Sequence, residues 1–124
     1  MERNLLLVED DKHIGELLYT SVKGLNTLKT IELSTTLKEA KSKLLNVFYD
    51  IIVLDLSLPD GNGIQLLKWL NKKNVETKVF IFSMNTELKR MCLQYGASAF
   101  FDKANDFDSL IDTISNDNSK INQN

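Results

Sequence analysis

The sequence predicts a single α/β domain in which a parallel β-sheet carries helices on both faces. Three observations support this fold class. Five short apolar segments alternate with five segments whose apolar residues recur at helical spacing. The length of 124 residues suits one domain. The hydrophobic fraction of 43% is typical of a globular protein rather than a disordered one. Right-handed crossover connections then leave few topologies for such a sheet.

The five predicted strands are short and mostly apolar. The first is a continuous apolar run, as expected for a strand that is buried on both faces. The second alternates between apolar and polar residues, which predicts a strand at an edge of the sheet. The predicted strands cover residues 5–8, 30–33, 51–54, 78–82 and 99–101.

A segment with helical periodicity follows each strand. Asp10 or Asp11 is a candidate N-cap for the first helix, and Thr36 is one of three candidates for the second. The apolar positions of the helices fall within residues 14–22, 37–45, 64–70, 88–95 and 107–114. Residues 56–63 hold the only proline and two of the five glycines, which predicts a loop with demanding backbone geometry. We expect the domain to cover residues 1–116, with a polar tail or the start of a linker at 117–124.

Composition and charge argue against several classes of protein. The 15 basic and 17 acidic residues give a net charge of −2, which does not favour binding to nucleic acid or to an anionic membrane. No apolar run approaches the roughly 18 residues of a membrane span, and the first residues do not resemble a secretory signal. The single cysteine, Cys92, excludes an internal disulfide and a cysteine-based zinc site. We therefore expect a cytoplasmic protein.

Polar residues stand at the carboxyl ends of four predicted strands. In strand order these residues are Glu9, Asp10 and Asp11 after the first, Asp55 after the third, Ser83 after the fourth and Lys103 after the fifth. Ligands of open α/β sheets bind in the crevice at these strand ends. The sequence therefore predicts that these four strand ends present polar groups to one site, with Asp11 as the cap of the first helix rather than a ligand.

Three acidic residues of this set suggest a magnesium site. Neighbouring carboxylates repel one another, and a hard divalent cation with oxygen ligands relieves that repulsion. Asp10 and Asp55 are the natural pair of Mg²⁺ ligands. Glu9 is placed to act through a bound water, and the main-chain carbonyl of Ser57 is a further candidate ligand.

The same residues suit phosphoryl transfer to an aspartate. One oxygen of Asp55 stays free to attack phosphorus and form an aspartyl phosphate, a known type of covalent intermediate. The transferring group carries negative charge on several oxygens, so catalysis depends on positioning and charge stabilisation. The Lys103 ammonium and the Ser83 hydroxyl, together with Mg²⁺, are the candidate partners of those oxygens.

Four features in order resemble the receiver domain of two-component response regulators, of the chemotaxis-regulator-like kind. They are L-L-V-E-D-D at residues 6–11, V-L-D-L-S-L-P-D-G at residues 53–61, Ser83 after the fourth strand and Lys103 after the fifth. The resemblance covers nearly the whole chain. It implies a flavodoxin-like, doubly wound sheet of five parallel strands in the order 2-1-3-4-5, with five helices.

The resemblance also implies a role for each site residue. The implied phosphoacceptor is Asp55, and the implied Mg²⁺ ligands are Glu9, Asp10, Asp55 and the main-chain carbonyl of Ser57. Ser83 and Lys103 would contact the phosphoryl group. Phe100 would change rotamer as the Ser83 hydroxyl moves, altering the face formed by the fourth helix, the fifth strand and the fifth helix. Ser57 and Asn85 are expected near the water that removes the phosphate.

The implied partners are those of a signalling module rather than of a conventional enzyme. A sensor histidine kinase or a phosphotransfer protein would donate the phosphoryl group. An effector domain, a partner protein or a second copy of the chain would receive the signal. The resemblance implies no direct binding of nucleic acid or membrane by this domain, which assists only its own phosphorylation and dephosphorylation.

Two residues depart from the family pattern. Ala104 follows Lys103 where the family often has proline, so we expect a trans peptide bond there. Met84 follows Ser83 where a small residue is common, and we expect it to cover part of the phosphorylation site and slow small phosphodonors.

Three alternative functions remain open at this point. A receiver-like pseudo-module would bind partners without being phosphorylated. An aspartate-dependent phosphatase commonly needs a second aspartate two residues after the nucleophile, where this chain has Ser57. A flavin-binding electron carrier needs a phosphate-binding loop after the first strand, where Glu9, Asp10 and Asp11 would repel a phosphate.

Overall fold

A computed structural model of the protein describes residues 3–117, which form a central sheet of five parallel strands. In chain order the strands are β1 (Arg3–Val8), β2 (Leu28–Ser34), β3 (Ile51–Leu54), β4 (Lys78–Ser83) and β5 (Ala99–Asp102). Their spatial order is β2-β1-β3-β4-β5, and every neighbouring pair is parallel. The predicted doubly wound sheet with strand order 2-1-3-4-5 is therefore confirmed.

One α-helix follows each of the five strands, as predicted. The helices are α1 (Lys12–Val22), α2 (Leu37–Asn46), α3 (Ile64–Lys73), α4 (Lys89–Gln94) and α5 (Phe107–Ser115). Of the two cap candidates for α1, Asp11 caps the helix, since its carboxylate accepts a hydrogen bond from the Ile14 amide at 3.0 Å. Thr36 caps α2 through the Glu39 amide at 3.0 Å. In the described part of the chain, no helix combines the length and apolar character needed to cross a membrane.

The sheet separates two hydrophobic cores, and β1 contributes to both. Leu5 and Leu7 face the side covered by α1 and α5, whereas Leu6 and Val8 face the side covered by α2, α3 and α4. This arrangement explains why the first strand is a continuous apolar run. Cys92 is fully buried on the second side.

The structure differs from the sequence-based expectations in two segments. Residues 56–63 were predicted as a loop but contain a short antiparallel hairpin, in which Ser57–Leu58 pairs with Gly61–Asn62. Strands of two residues have no periodicity that a sequence pattern could reveal. The fourth helix begins later than its apolar pattern indicated, because a 3-10 turn at Thr86–Leu88 precedes α4.

The carboxyl end of the described chain is bound to the domain. Asp117 is buried, its carboxylate lies 2.9 Å from Nη1 of the buried Arg3, and it also pairs with Lys78. The domain boundary at residue 116 stays a prediction, and Asp117 is held against the sheet by Arg3 and Lys78, the first residues of β1 and β4. Residues 118–124 lie outside the described part of the chain.

Candidate functional site

The acidic residues predicted at the strand ends meet a single lysine at the carboxyl edge of the sheet. Glu9 follows β1, Asp55 follows β3 and Lys103 follows β5. The Lys103 Nζ atom lies 2.8 Å from Glu9 Oε1 and 3.1 Å from Asp55 Oδ2. Glu9 is 2% exposed and Asp55 is 4% exposed, so these two carboxylates are held away from bulk water. The Lys103 ammonium, which contacts both carboxylates, offsets part of the free-energy cost of burying them.

Main-chain hydrogen bonds fix the residues that carry these side chains. The Asp55 amide donates to the Val8 carbonyl at 3.0 Å, and the Lys103 amide donates to the Ser83 carbonyl at 3.0 Å. The Glu9 amide is bound in the same way to the last residue of β2 at 2.9 Å. Each functional side chain is therefore positioned by the sheet itself, one residue beyond its regular strand.

An acidic cluster suited to a hard cation lies beside the lysine. Glu9, Asp10 and Asp55 each place one carboxylate oxygen within 4.8 Å of those of the other two. Glu9 and Asp55 are buried, whereas Asp10 is exposed at the mouth of the cluster. The donors are all carboxylate oxygens, which Mg²⁺ prefers and usually combines with water ligands. The residues present therefore fit a divalent cation, while Asp11 is engaged as the cap of α1.

The pKa values of Glu9 and Lys103 reflect the crowding of like charges at this site. Burial raises the pKa of Glu9 to about 7; the Asp55 charge adds to this rise, and the Lys103 ammonium opposes it. Burial also acts to lower the pKa of Lys103, but contact with Glu9 and Asp55 holds that pKa above its ordinary value. One lysine does not fully neutralise the three clustered acids. The remaining negative charge would attract a metal cation.

Two hydroxyl groups of the site share one acceptor, the side-chain oxygen of Asn85. Ser83 Oγ donates to Asn85 Oδ1 at 3.3 Å, and Ser57 Oγ donates to the same atom at 3.2 Å. Ser83 Oγ also accepts a hydrogen bond from the Asn85 amide at 2.9 Å. The Ser57 amide donates to Asp55 Oδ1 at 3.3 Å. Asn85 thus links the loops that follow β3 and β4, a contact that the sequence did not reveal.

The loop after Asp55 is held by two residues that the sequence analysis did not single out. A Cβ atom at Gly63 would lie 2.3 Å from the Asp55 carbonyl oxygen, so only glycine allows this close approach. The Asp60 carboxylate accepts hydrogen bonds from the Leu37 and Lys38 amides at 2.8 and 3.0 Å. These bonds to the start of α2 lower the pKa of Asp60. For Gly63, the sequence did hold a signal, because a glycine in a tight loop beside the candidate nucleophile indicates a close backbone approach.

The structure describes the burial of the remaining predicted residues. Phe100 is half-buried on the α2, α3 and α4 side of the sheet, and Met84 is exposed. The described residues contain no cis peptide bond, so the bond between Lys103 and Ala104 is trans, as expected. The roles of Phe100, of Met84 and of the Ser57 carbonyl stay predictions.

A family comparison now decides among the functions that this geometry allows. The family model described as the response regulator receiver domain matches residues 5–115. The chain belongs to the response regulator receiver domain family. Receiver domains are the phosphoacceptor modules of two-component systems, so the alternative functions are not favoured.

Known receiver domains cover most of this chain. The receiver domain of Francisella response regulator 1452 has a TM-score of 0.82 and 33% identity, over 91% of this chain and 93% of that chain. The signal receiver domain of a putative Luxo repressor protein from Vibrio parahaemolyticus has a TM-score of 0.83 and 28% identity, over 93% of this chain and 88% of that chain.

The curated relatives are longer proteins. A protein-glutamate methylesterase/protein-glutamine glutaminase of Treponema denticola is 32% identical over 94% of this chain and 33% of that protein. The transcriptional regulatory protein MalR of Bacillus subtilis is 29% identical over 90% of this chain and 48% of that protein. This receiver domain thus spans about a third to a half of the length of these relatives.

Proposed function

We propose that Asp55 is the residue of this receiver domain that accepts the phosphoryl group. The observation that carries the proposal is the buried Asp55 carboxylate, which has the Lys103 ammonium 3.1 Å from Oδ2 and two further acids beside it. A carboxylate needs no general base to act as a nucleophile, because it is already ionised. The site accordingly offers charge stabilisation and positioning rather than proton transfer.

The proposed reaction joins phosphorus to an Asp55 oxygen and releases the donor. The bond between phosphorus and the donor atom breaks, and the product is an acyl phosphate on Asp55. Before the reaction, the Ser57 amide contacts Oδ1 and Lys103 contacts Oδ2, so the carboxylate is already oriented. Lys103 is close enough to remain with the new phosphoryl oxygens and neutralise part of their charge.

We further propose that the acidic cluster holds Mg²⁺ during this reaction. The proposed ligands are Glu9, Asp10, Asp55 and the main-chain carbonyl of Ser57, of which the three carboxylates lie within 4.8 Å of one another. When bound, the ion would neutralise phosphoryl oxygens that Lys103 does not reach. The raised pKa of Glu9 supports the proposal, because it indicates a site with uncompensated negative charge.

The proposed switch begins at Ser83. Its hydroxyl now bonds to Asn85 and would instead donate to a phosphoryl oxygen of modified Asp55. Phe100 lies one strand away, since its neighbour Phe101 pairs with Phe82 beside Ser83. We propose that Phe100 follows the Ser83 movement and alters the surface formed by α4, β5 and α5.

The partners follow from the family and belong to the proposal. We expect a sensor histidine kinase or a phosphotransfer protein as donor, and an effector domain, a partner protein or a second copy as receiver of the signal. The location is proposed to be cytoplasmic, which suits the buried, free thiol of Cys92. The proposed domain covers residues 1–116, with Asp117 added by its ion pair to Arg3. The domain assists its own phosphorylation and is not proposed to be a conventional enzyme.

Intact-mass spectrometry with acetyl phosphate and MgCl₂ tests the proposed phosphoacceptor. The wild-type protein should gain the mass of one phosphoryl group, and the Asp55→Asn variant should not. Asp11→Asn is the matched control, because it removes an exposed carboxylate of the same segment that caps α1. Gain of mass by Asp55→Asn would contradict the assignment. No gain by the wild type from any donor would favour a pseudo-module.

A further inference from the structure

The two helices α2 and α3 form a strongly basic surface on a protein with a net charge of −2. Together they contain six lysines and a single acidic residue, Glu39. Lys43 pairs with Glu32 and Glu39 on the side of β2. The other five lysines have no carboxylate within ion-pair distance among residues 3–117, and they are Lys38, Lys41, Lys68, Lys72 and Lys73. Backbone hydrogen bonds lower the pKa of Asp60 and Lys41 adds to this effect at a distance beyond an ion pair, but the surface as a whole carries more lysines than carboxylates that pair with them.

Aromatic rings hold three of these lysines in place. The Lys41 Nζ atom lies 5.6 Å from the centre of the Trp69 ring, and Lys73 Nζ lies 4.8 Å from it. Lys68 Nζ lies 4.6 Å from the centre of the Tyr95 ring. Such cation–π contacts restrict the lysine side chains without neutralising them. Trp69, the only tryptophan of the chain, thus stands between lysines of both helices.

An apolar groove opens beside Trp69, between the carboxyl ends of α2 and α3. Val47, Phe48 and Val75 line it together with Trp69, and these first three side chains are between 42% and 47% exposed. Val47 and Phe48 precede β3, and Val75 precedes β4, so the groove lies at the opposite end of the sheet from Asp55. Exposed apolar side chains grouped and rimmed by polar groups are typical of protein interaction sites.

We propose that this lysine-flanked groove docks an acidic amphipathic helix of a partner protein. Apolar side chains of that helix would enter the groove between Trp69, Phe48 and Val75, and its carboxylates would pair with Lys41 and Lys73. Helix-in-groove recognition joins these two kinds of contact. The lysines select a partner with negative charge, and the groove requires that this partner also has an apolar face.

The surface suits a protein better than the other anionic partners. Nucleic acid recognition relies on a continuous basic stripe, whereas here the Trp69 ring lies between Lys41 and Lys73, an apolar groove opens beside it, and neither helix contains arginine. A second copy would have to offer an acidic face such as α5, which carries Asp108 and Asp112. That contact would join unlike faces of two copies and would build rings or filaments rather than the isologous two-fold dimer that is commonest among homo-oligomers. The occupant is therefore a different protein.

Trp69 fluorescence measures the docking directly, because the ring lies in the groove. The probe is a synthetic helical peptide with Glu on one face and Leu and Phe on the other, and its matched peptide has Gln in place of each Glu. The acidic peptide should shift the Trp69 emission to saturation and bind at least about tenfold more tightly than the Gln peptide. Raising the salt from about 0.1 M to about 1 M should weaken it strongly, because the Debye length falls from about 10 Å to about 3 Å.

Calorimetry on charge variants locates the site. The double variant Lys41→Gln/Lys73→Gln should bind the acidic peptide about three- to tenfold more weakly than the wild type. The matched control Lys23→Gln/Lys89→Gln removes two exposed lysines from other faces and should bind as the wild type does. Both variants should melt as the wild type does and gain the phosphoryl mass with acetyl phosphate, which separates docking from phosphorylation.

Four results would overturn the proposal. The acidic and Gln peptides could bind equally, or the two double variants could bind the acidic peptide equally. Alternatively, a DNA duplex or phosphatidylglycerol vesicles could saturate the Trp69 signal while the acidic peptide does not, which would assign the surface to nucleic acid or membrane. Reversible growth of filaments by the protein alone would identify a second copy as the occupant instead.

Discussion

Replacing Glu9 with glutamine is expected to change how the stability of the cation-free protein depends on pH. Glu9 is buried, contacts Lys103 and shares the acidic cluster with Asp55. Burial is the largest cause that raises its pKa from the ordinary 4.5 to about 7. Glutamine keeps the size of the side chain and can still accept the hydrogen bond from the Asp11 amide, but it carries no charge.

The direction of the effect follows from proton binding. Between pH 4.5 and about 7, folded Glu9 holds a proton that the unfolded chain has released. The free energy of unfolding therefore falls as the pH rises through this window. A difference of about 2.5 pH units at about 1.36 kcal/mol per unit gives a loss of about 3 kcal/mol above the window. The Glu9→Gln variant does not titrate at this position and escapes that loss.

Urea denaturation in the presence of a chelator measures the difference. The free energy of unfolding falls by about 1–3 kcal/mol per molar urea. The difference in urea midpoint between Glu9→Gln and the wild type should therefore increase by about 1–3 M from about pH 4 to about pH 8, in favour of the variant. The exposed Glu16→Gln changes the charge equally and should alter stability by less than about 0.5 kcal/mol. At the higher pH, MgCl₂ should stabilise the wild type more than Glu9→Gln, because one proposed ligand is missing. Parallel pH profiles for wild type and Glu9→Gln would refute the reasoning.

Three other variants give independent outcomes. Asp117→Asn should lower the free energy of unfolding by about 3 kcal/mol in urea denaturation, because the buried Arg3 guanidinium loses its charge partner. The control Asp112→Asn, which changes an exposed aspartate, should have little effect. Gly63→Ala should lower the melting temperature, because the added Cβ would meet the Asp55 carbonyl at 2.3 Å, and an unchanged value would contradict that contact. Met84→Ala should speed phosphorylation by acetyl phosphate, and equal rates would remove the idea that Met84 screens the site.

The sheet and the convergence of the acidic residues were predictable because both depend on where apolar runs end. The run at residues 51–54 ends at Asp55, and the first run ends at Glu9. Parallel strands share a carboxyl edge, so residues that directly follow such runs must meet once the strand order is known. The sequence thus predicted which side chains come together, without any knowledge of their distances.

The missed contacts depend on loop conformation or on pairs that are far apart in the chain. Asn85 bridges Ser57 and Ser83 only because two loops adopt particular shapes. The ion pair between Arg3 and Asp117 joins residues 114 positions apart, and no local pattern signals it. A short polar segment after the last helix is typical of a tail, and no pattern within it shows that Asp117 pairs with the buried Arg3 and with Lys78.

The proposed switch breaks the hydrogen bond between Ser83 and Asn85 that the unmodified site contains. Ser83 has one hydroxyl proton, so it cannot donate to Asn85 and to a phosphoryl oxygen at the same time. Breaking that neutral bond costs about 0.5–1.5 kcal/mol, and a bond to a charged oxygen contributes about 1.5–3 kcal/mol. Asn85 is only half-buried, so water can satisfy the oxygen that Ser83 leaves. The exchange therefore favours the switched arrangement only while the phosphoryl group remains on Asp55, which is the property that makes such a hydroxyl a reversible switch.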